Sequence, residues 1–288
     1  MLFHWLLALR PKTLPASVAP ILLGSALAAS EGNFSGFIFW LAMICALSLQ
    51  IAVNFANDLF DAASGVDTAE RLGPVRVTQA GLIQPHQLKL GLAGILLLAV
   101  LSGLMLAAWV SWWLLPLGLA SLLAALAYSG GPKPLASLGL GELLVLIFFG
   151  WVAVMGSYYL QSLSLNLEAF IYASLLGVWS ASIMLVNNIR DRITDAKAAK
   201  RTLAVRLGDT HARRLYQGLL ISGLSLHWLA NPGLSQLSWL PLLLTSPLVL
   251  FLLWAIQRWQ SRELNRLLAL TALLVLIYAL AQSWILAK

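Results

Sequence analysis

The sequence predicts an all-α membrane protein of nine transmembrane helices, and three observations carry that prediction. Of its 288 residues, 60% are hydrophobic and only 10% are charged, where an average soluble domain is roughly 45–50% apolar and about 25% charged. Apolar runs near the roughly 20 residues that cross a bilayer core recur along the whole chain, whose mean hydropathy is +0.85. The basic residues, finally, alternate with those runs so as to fall on one side of a membrane. A soluble globule, a disordered tail and a disulfide scaffold are thereby excluded. Cys45 is the single cysteine, so neither an intrachain disulfide nor a four-cysteine zinc site can form.

Taken in order, the apolar segments are 14–30, 37–57, 88–108, 111–128, 140–161, 169–188, 214–230, 237–257 and 267–286, within a single domain 1–288. The first resembles a secretory signal, because Arg10 and Lys12 precede it and Ala26-Leu27-Ala28 resembles a cleavage site. Pro15 and Pro20 inside the run, and the lack of a sizeable exported domain, argue that it is retained. With nine spans, seventeen of the eighteen Lys and Arg residues lie on one side and only Lys288 lies opposite. Positive charge marks the cytoplasmic side, which places the N-terminus inside and the C-terminus outside. Trp109, Trp112, Trp113, Trp228 and Trp239 then sit at outer edges, as interfacial belts do. The net charge of +7 therefore reports topology first, and does not point to nucleic acid.

Two inner loops, 58–87 and 189–213, are long and hold most of the acids. Loops beyond about 12–15 residues are usually functional or disordered. The span before the first ends in Gln50, Asn54, Asn57, Asp58 and Asp61, spaced to share one helix face. The span before the second ends in Asn187, Asn188, Asp191 and Asp195, of which the last three form a stripe. Polar side chains at membrane depth face a bundle interior or a wet cavity, so the stripes are expected to face each other across one cavity. Clustered carboxylates repel unless a cation joins them, and oxygen ligands without a Cys or His cluster suit Mg2+. Arg71, Arg76, Lys133, Arg190, Lys197, Lys200, Arg201 and Arg206 are then candidate anion binders. Acids for metal and bases for phosphate in an apolar bundle specify an amphiphile with a diphosphate head. Interfacial salt bridges are the plain alternative for either stripe alone. The four histidines are scattered, and Glu142 is open between a helix-start carboxylate favoured by the dipole and a cavity residue.

These residues resemble the UbiA superfamily of intramembrane prenyltransferases. NDLFDAASGVD, Asn57 to Asp67, is similar to the NDxxDxxxGxD form found in its 1,4-dihydroxy-2-naphthoate branch, with Gly65 where the general motif has its last acid. DRITD, Asp191 to Asp195, is similar to the second motif, DxxxD. LRPKTLPAS, RLGPVRVTQAGLI, GLGELLVLIFFGWVAVMGSYYLQ and NNIRDRITDAKAAKRTLAVRLG extend the resemblance over nearly the whole chain. It implies nine helices around a central cavity open to the cytoplasm and to lipid, in a bacterial inner membrane. It also implies Mg2+-dependent transfer of a polyprenyl group from polyprenyl diphosphate to dihydroxynaphthoate, with loss of CO2, giving demethylmenaquinol.

On this reading Asp58, Asp61, Asp191 and Asp195 hold Mg2+, with Asn57 and Asn188 as ligands or orienters and Asp67 in place of the absent third acid. Lys133, Arg190 and Lys197 are the foremost diphosphate contacts; Lys12 and Arg71 are candidates for head group or acceptor carboxylate. Asn54 is a further substrate-side residue, and Tyr128 is either a cation or acceptor contact or a plain interfacial tyrosine. Within the superfamily a 4-hydroxybenzoate-like acceptor is the nearer alternative. A CDP-alcohol phosphotransferase lacks its Asp-Gly-x-x-Ala-Arg core here. An ion-coupled transporter is the remaining alternative, but transporters place such acids near the midplane on broken helices.

Overall fold

The structure, a computed structural model, describes residues 2–64, 72–131, 134–231 and 236–288. Among the described residues there is no strand. A short helix α1 (Leu2–Leu9) turns through Arg10, in the left-handed region at φ 52°, into a Pro11–Thr13 turn. Pro15 then opens α2 (Pro15–Ser30) at a position where a missing N–H is harmless. Next come α3 (Gly36–Ser64), α4 (Pro85–Trp109), started by a Gln84–Gln87 capping box, and α5 (Leu114–Ser129). The rod α6 (Gly141–Ser162) carries a π-helical stretch over Leu146–Met155. The chain closes with α7 (Leu167–Lys197), α8 (Leu203–Ala230), α9 (Leu240–Arg258) and α10 (Leu264–Leu286).

Each of the nine apolar segments falls on one described helix, six of them to within about three residues at both ends, whereas Gly36–Ser64 and Leu167–Lys197 run on past their segments and Leu203–Ala230 begins eleven residues before its own. Six of the helices, α3, α4, α6, α7, α9 and α10, are long and apolar enough to cross a membrane, and α1 with α2, bent by 53°, would be a seventh. The other two differ for visible reasons. At 16 residues α5 is apolar but short. The first half of α8 carries Arg206, Asp209, Arg213 and Arg214 around a break at Gly208.

The centre of the molecule is α7, whose apolar window is 72% buried against 22% for α4. It packs on α6, α8 and α10, and Tyr172, Leu175, Leu176 and Trp179 are fully enclosed. Without a hydrophobic force between helices in lipid, such seams depend on close approach through small residues. Gly150 of α6 faces Gly177 of α7 so closely that a Cβ on Gly177 would lie 2.9 Å from the Leu146 carbonyl oxygen and 3.1 Å from Gly150 Cα. Several of the enclosed polar groups find partners inside the protein, as a bilayer favours. Trp179 Nε1 donates to the Leu220 carbonyl at 3.1 Å, Tyr216 meets Thr271 at 2.7 Å, and His227 lies 2.8 Å from Tyr278.

A latch closes the end of the bundle remote from the long basic loops. Tyr158 donates to Glu31 at 2.7 Å, Asn166 Nδ2 donates to Glu31 at 3.0 Å, and Gln161 exchanges two hydrogen bonds with the Ser35 backbone. By contrast α5 packs on α3, on α4 and on the turn Leu135–Leu138, and it buries no residue fully. Between this loosely held α5 and the dense α6–α7 wall the protein stays open.

Substituting Gly177→Leu should force α6 from α7 and lower stability by about 1–3 kcal/mol, read as a reduced thermal midpoint in detergent. Gly156→Ala is the matched control, because nothing lies within 4 Å of a Cβ there, and it should leave the midpoint unchanged.

Candidate active site

A single large cavity of about 1590 Å³ occupies that opening. Typical ligand pockets hold roughly 300–1,000 Å³, so this one suits a long molecule. Its two ends differ in chemistry. One is lined by Asn57, Asn188, Asp191 and Asp195 together with the cations Arg10, Arg76, Lys200, Arg201 and Arg206. The rest is hydrocarbon, with Leu104 of α4, Leu117 and Leu122 of α5, and Phe148, Phe149 and Val152 of α6.

The π-helical stretch explains how α6 forms so straight a wall. Its lining residues recur in steps of four: Leu144 and Val145, Phe148 and Phe149, Val152 and Ala153, Gly156 and Ser157, then Leu160. At 3.6 residues per turn a step of four drifts steadily around the helix. The wider i→i+5 turn drifts the other way, so alternating the two keeps the stripe facing the cavity.

The acidic stripe of α7 lies where the sequence placed it: Asn188, Asp191 and Asp195 all line the cavity. Arg190 is a correction. It was expected to contact diphosphate, but its side chain is only 1% exposed. Nε donates to Asp191 Oδ1 at 2.8 Å and Nη2 to Asp191 Oδ2 at 2.5 Å, a bidentate fork. Nη2 also reaches Asn187 Oδ1 at 2.7 Å, and Nη1 reaches Asn265 Oδ1 at 2.8 Å. The guanidinium is engaged in aiming Asp191. Asn265 in turn donates to the Leu72 carbonyl at 2.9 Å, which ties α10 to the loop after α3.

On α3 the stripe divides. Gln50, Asn54 and Asn57 line the cavity, but Asp58 does not. Asp58 is 2% exposed, and its carboxylate accepts from the backbone N–H groups of Val77 and Thr78, both at 3.0 Å. The returning loop captures Asp58 at the flank of the stripe, in place of the metal contact expected of it. That capture fixes the neighbouring Arg76, which is buried and lines the cavity. Asn54 donates to the Leu9 carbonyl at 2.9 Å, so it holds the turn carrying Arg10 as well as facing the cavity. Ser129 donates to Asn57 Oδ1, and the Tyr128 hydroxyl reaches Met184 Sδ at 3.1 Å on the same wall.

Lys12 and Lys197 are exposed and outside the lining. The Asp61 side chain, Asp67, Arg71 and Lys133 lie outside the described residues. Among the described residues no three His, Cys, Asp or Glu side chains close around one point, and Asp191 with Asp195 is the acid pair brought to the cavity. The oxygen-only set of Asp191, Asp195 and Asn188 has the chemistry that fits a hard cation such as Mg2+. Arg10 is a cavity residue that the sequence reading took only for a topology marker. Its signal was the cation three residues before Thr13, itself a lining residue.

Comparison with known proteins agrees with this architecture. The profile of the UbiA prenyltransferase family matches residues 17–277. The 1,4-dihydroxy-2-naphthoate octaprenyltransferase of Escherichia coli (strain K12) is 42% identical over 226 residues, covering 76% of this chain and 73% of that one. The enzyme of the same name from Mycobacterium tuberculosis (strain ATCC 25618 / H37Rv) is 41% identical over 220 residues, with 75% and 74% covered. In fold, the chain is similar to a UbiA homolog from Aeropyrum pernix K1, with a TM-score of 0.73 at 18% identity over 93% of this chain and 96% of that one. A UbiA homolog from Archaeoglobus fulgidus bound to GPP and Mg2+ superposes with a TM-score of 0.67 at 16% identity, with 99% of each chain covered. Matched along most of its length by the family profile and by relatives above 40% identity, this all-helical, integral membrane chain belongs to the UbiA prenyltransferase family.

Proposed function

We propose that this prenyltransferase moves a polyprenyl group from polyprenyl diphosphate to 1,4-dihydroxy-2-naphthoate, with loss of CO2 and diphosphate, and so supplies demethylmenaquinol for menaquinone synthesis. The observation that carries the reading is the two-ended cavity of about 1590 Å³, acids and five cations at one end and hydrocarbon along the rest. The names of the Escherichia coli and Mycobacterium tuberculosis relatives support the acceptor. We further infer one domain over 1–288 with nine spans, the N-terminus and the charged mouth facing the cytoplasm of a bacterial inner membrane. The one-sided Lys and Arg distribution supports that orientation.

Asp191 and Asp195 would hold Mg2+, with Asn188 beside them and Asp61 and Asp67 of the first motif as further ligands. When bound, the ion neutralises charge developing on the departing diphosphate. Arg190 holds Asp191 in its cavity-facing orientation. Arg10, Arg76, Lys200 and Arg201 attract the diphosphate to the mouth and stabilise it as it leaves. Breaking the allylic C–O bond releases diphosphate with the electron pair and leaves an electron-deficient carbon. The electron-rich naphthalene ring forms the new C–C bond, and its bond to the carboxylate breaks, returning its electron pair to the ring as CO2 leaves. Phe148, Phe149 and Val152 keep water from that carbon. Tyr128, on the wall between head group and tail, is placed to contact the acceptor ring.

In purified protein supplied with Mg2+, polyprenyl diphosphate and dihydroxynaphthoate, Asp191→Asn should lower prenyl transfer by about 100-fold or more. Because Asp191 is also the charge partner of the buried Arg190, the thermal midpoint should fall as well, and near-normal turnover would remove the metal assignment. A second variant addresses the tail: Gly156→Phe projects into open cavity. It should depress turnover of long-chain donors relative to short ones, as read from competing donors with products resolved by mass.

A further inference from the structure

Glu142 takes no part in the mechanism above. It stands in the first turn of α6 and is only 6% exposed. Its Oε1 accepts from Asn188 Nδ2 at 2.9 Å. Its Oε2 is buried and, among the described residues, has no hydrogen-bond partner. A buried oxygen left without a donor keeps its desolvation penalty, and the positive end of α6 offsets only part of it. An acid kept under that penalty calls for a role beyond filling space.

The role lies in the direction of one amide. An asparagine side chain carries NH2 on one side and oxygen on the other, in nearly the same shape. An ionised carboxylate only accepts hydrogen bonds, and the NH2 of Asn188 is the side that faces Glu142. That leaves Oδ1 for the cavity, which Asn188 lines on the same helix face as Asp191 and Asp195. Met184, one helical turn before Asn188, and Tyr128 border the same spot, since a Cβ on Gly141 would lie 3.5 Å from Met184 Cγ, 3.4 Å from the Tyr128 hydroxyl and 3.8 Å from Asn188 Nδ2.

We propose that Glu142 is a positioning residue that locks the Asn188 amide with its oxygen toward the cavity, so that α7 offers a hard cation three oxygen-bearing side chains. Turned over, the same amide would set an NH2 against the cation. The proposal rests on the metal-dependent reading of the site, which it deepens by giving Asn188 one polarity.

Glu142→Gln tests it, because glutamine is nearly isosteric but can pair with the asparagine amide either way up. Mn2+ serves as the probe, its binding to purified protein measured from the loss of the free-ion EPR signal, alongside kcat and KM for the prenyl donor. E142Q should weaken Mn2+ binding about tenfold, the effect typical of losing a group that orients a ligand, with the thermal midpoint unchanged. The exchange E142Q/N188D should recover affinity, since the introduced aspartate accepts from the introduced glutamine and still turns an oxygen to the cavity. Unchanged Mn2+ affinity in E142Q, or a loss that the exchange does not recover, overturns the positioning role and leaves the prenyl-transfer reading standing. A wild-type protein that binds no Mn2+ overturns the metal reading and this proposal with it.

Discussion

The Arg190 guanidinium, enclosed at the junction of α7 and α10, is the interaction on which the rest of the site depends. A buried charge is tolerated only when paired and well hydrogen-bonded, and here Asp191, Asn187 and Asn265 take four of the five guanidinium donors. Removing one partner of such a pair typically costs about 3–5 kcal/mol, because the other charge remains buried. The arrangement therefore links three distant stretches of sequence: α7, the start of α10, and Leu72 after α3 through Asn265. It also aims the reactive end of the site. The fork takes one lone pair from each Asp191 oxygen, and a carboxylate has others to offer. An acid held this way is pointed at the cavity before any substrate arrives.

The same constraint, that polar groups at membrane depth must be satisfied within the protein, recurs wherever a polar residue positions the site. Asp58 takes up two backbone N–H groups and so fixes the loop bearing Arg76. Asn54 grips the Leu9 carbonyl and so fixes the turn bearing Arg10. Arg10 itself adopts a left-handed conformation at φ 52°, rare for a residue with a side chain and sustained by contacts on both flanks. Asp58, outside the lining, and Asn54, within it, thus each hold in place a cation that faces the cavity. Site and scaffold are built from the same few hydrogen bonds.

How much of this was legible in one dimension follows from the kind of signal each feature leaves. Apolar length marks a span, so all nine segments fell on helices. Helical spacing marks a face, so Asn188, Asp191 and Asp195 fell together on the cavity. Spacing is silent, however, about which side chain a returning loop takes up, and Asp58 shares the stripe's face yet is bound by the Val77 and Thr78 backbone instead of lining the cavity. Nor does it show that Arg190 engages its own neighbour, because consecutive helical residues normally diverge and only a long, forked side chain can fold back. Asn265 was invisible for another reason: a single polar residue near a helix start is ordinary, and its meaning lies in two partners, one of them 193 residues away. The π-helical stretch left no trace in an unbroken apolar run.

The contrast between the two ends of the cavity sets what kind of selectivity the protein can exert. A polyprenyl tail reaches the site from a bilayer that is itself hydrocarbon, and moving it onto walls of Leu, Phe and Val exchanges one apolar surface for another. The roughly 25 cal/mol per Å² gained by leaving water does not apply to that transfer, just as it does not drive helix association in lipid. Binding energy must then come from the charged end, where Arg10, Arg76, Lys200 and Arg201 line the cavity. An energetically flat tail site cannot count isoprene units by affinity. Discrimination by length is left to shape: to where the walls close, as at the Glu31–Tyr158 latch, and to where they stay open, as along α5.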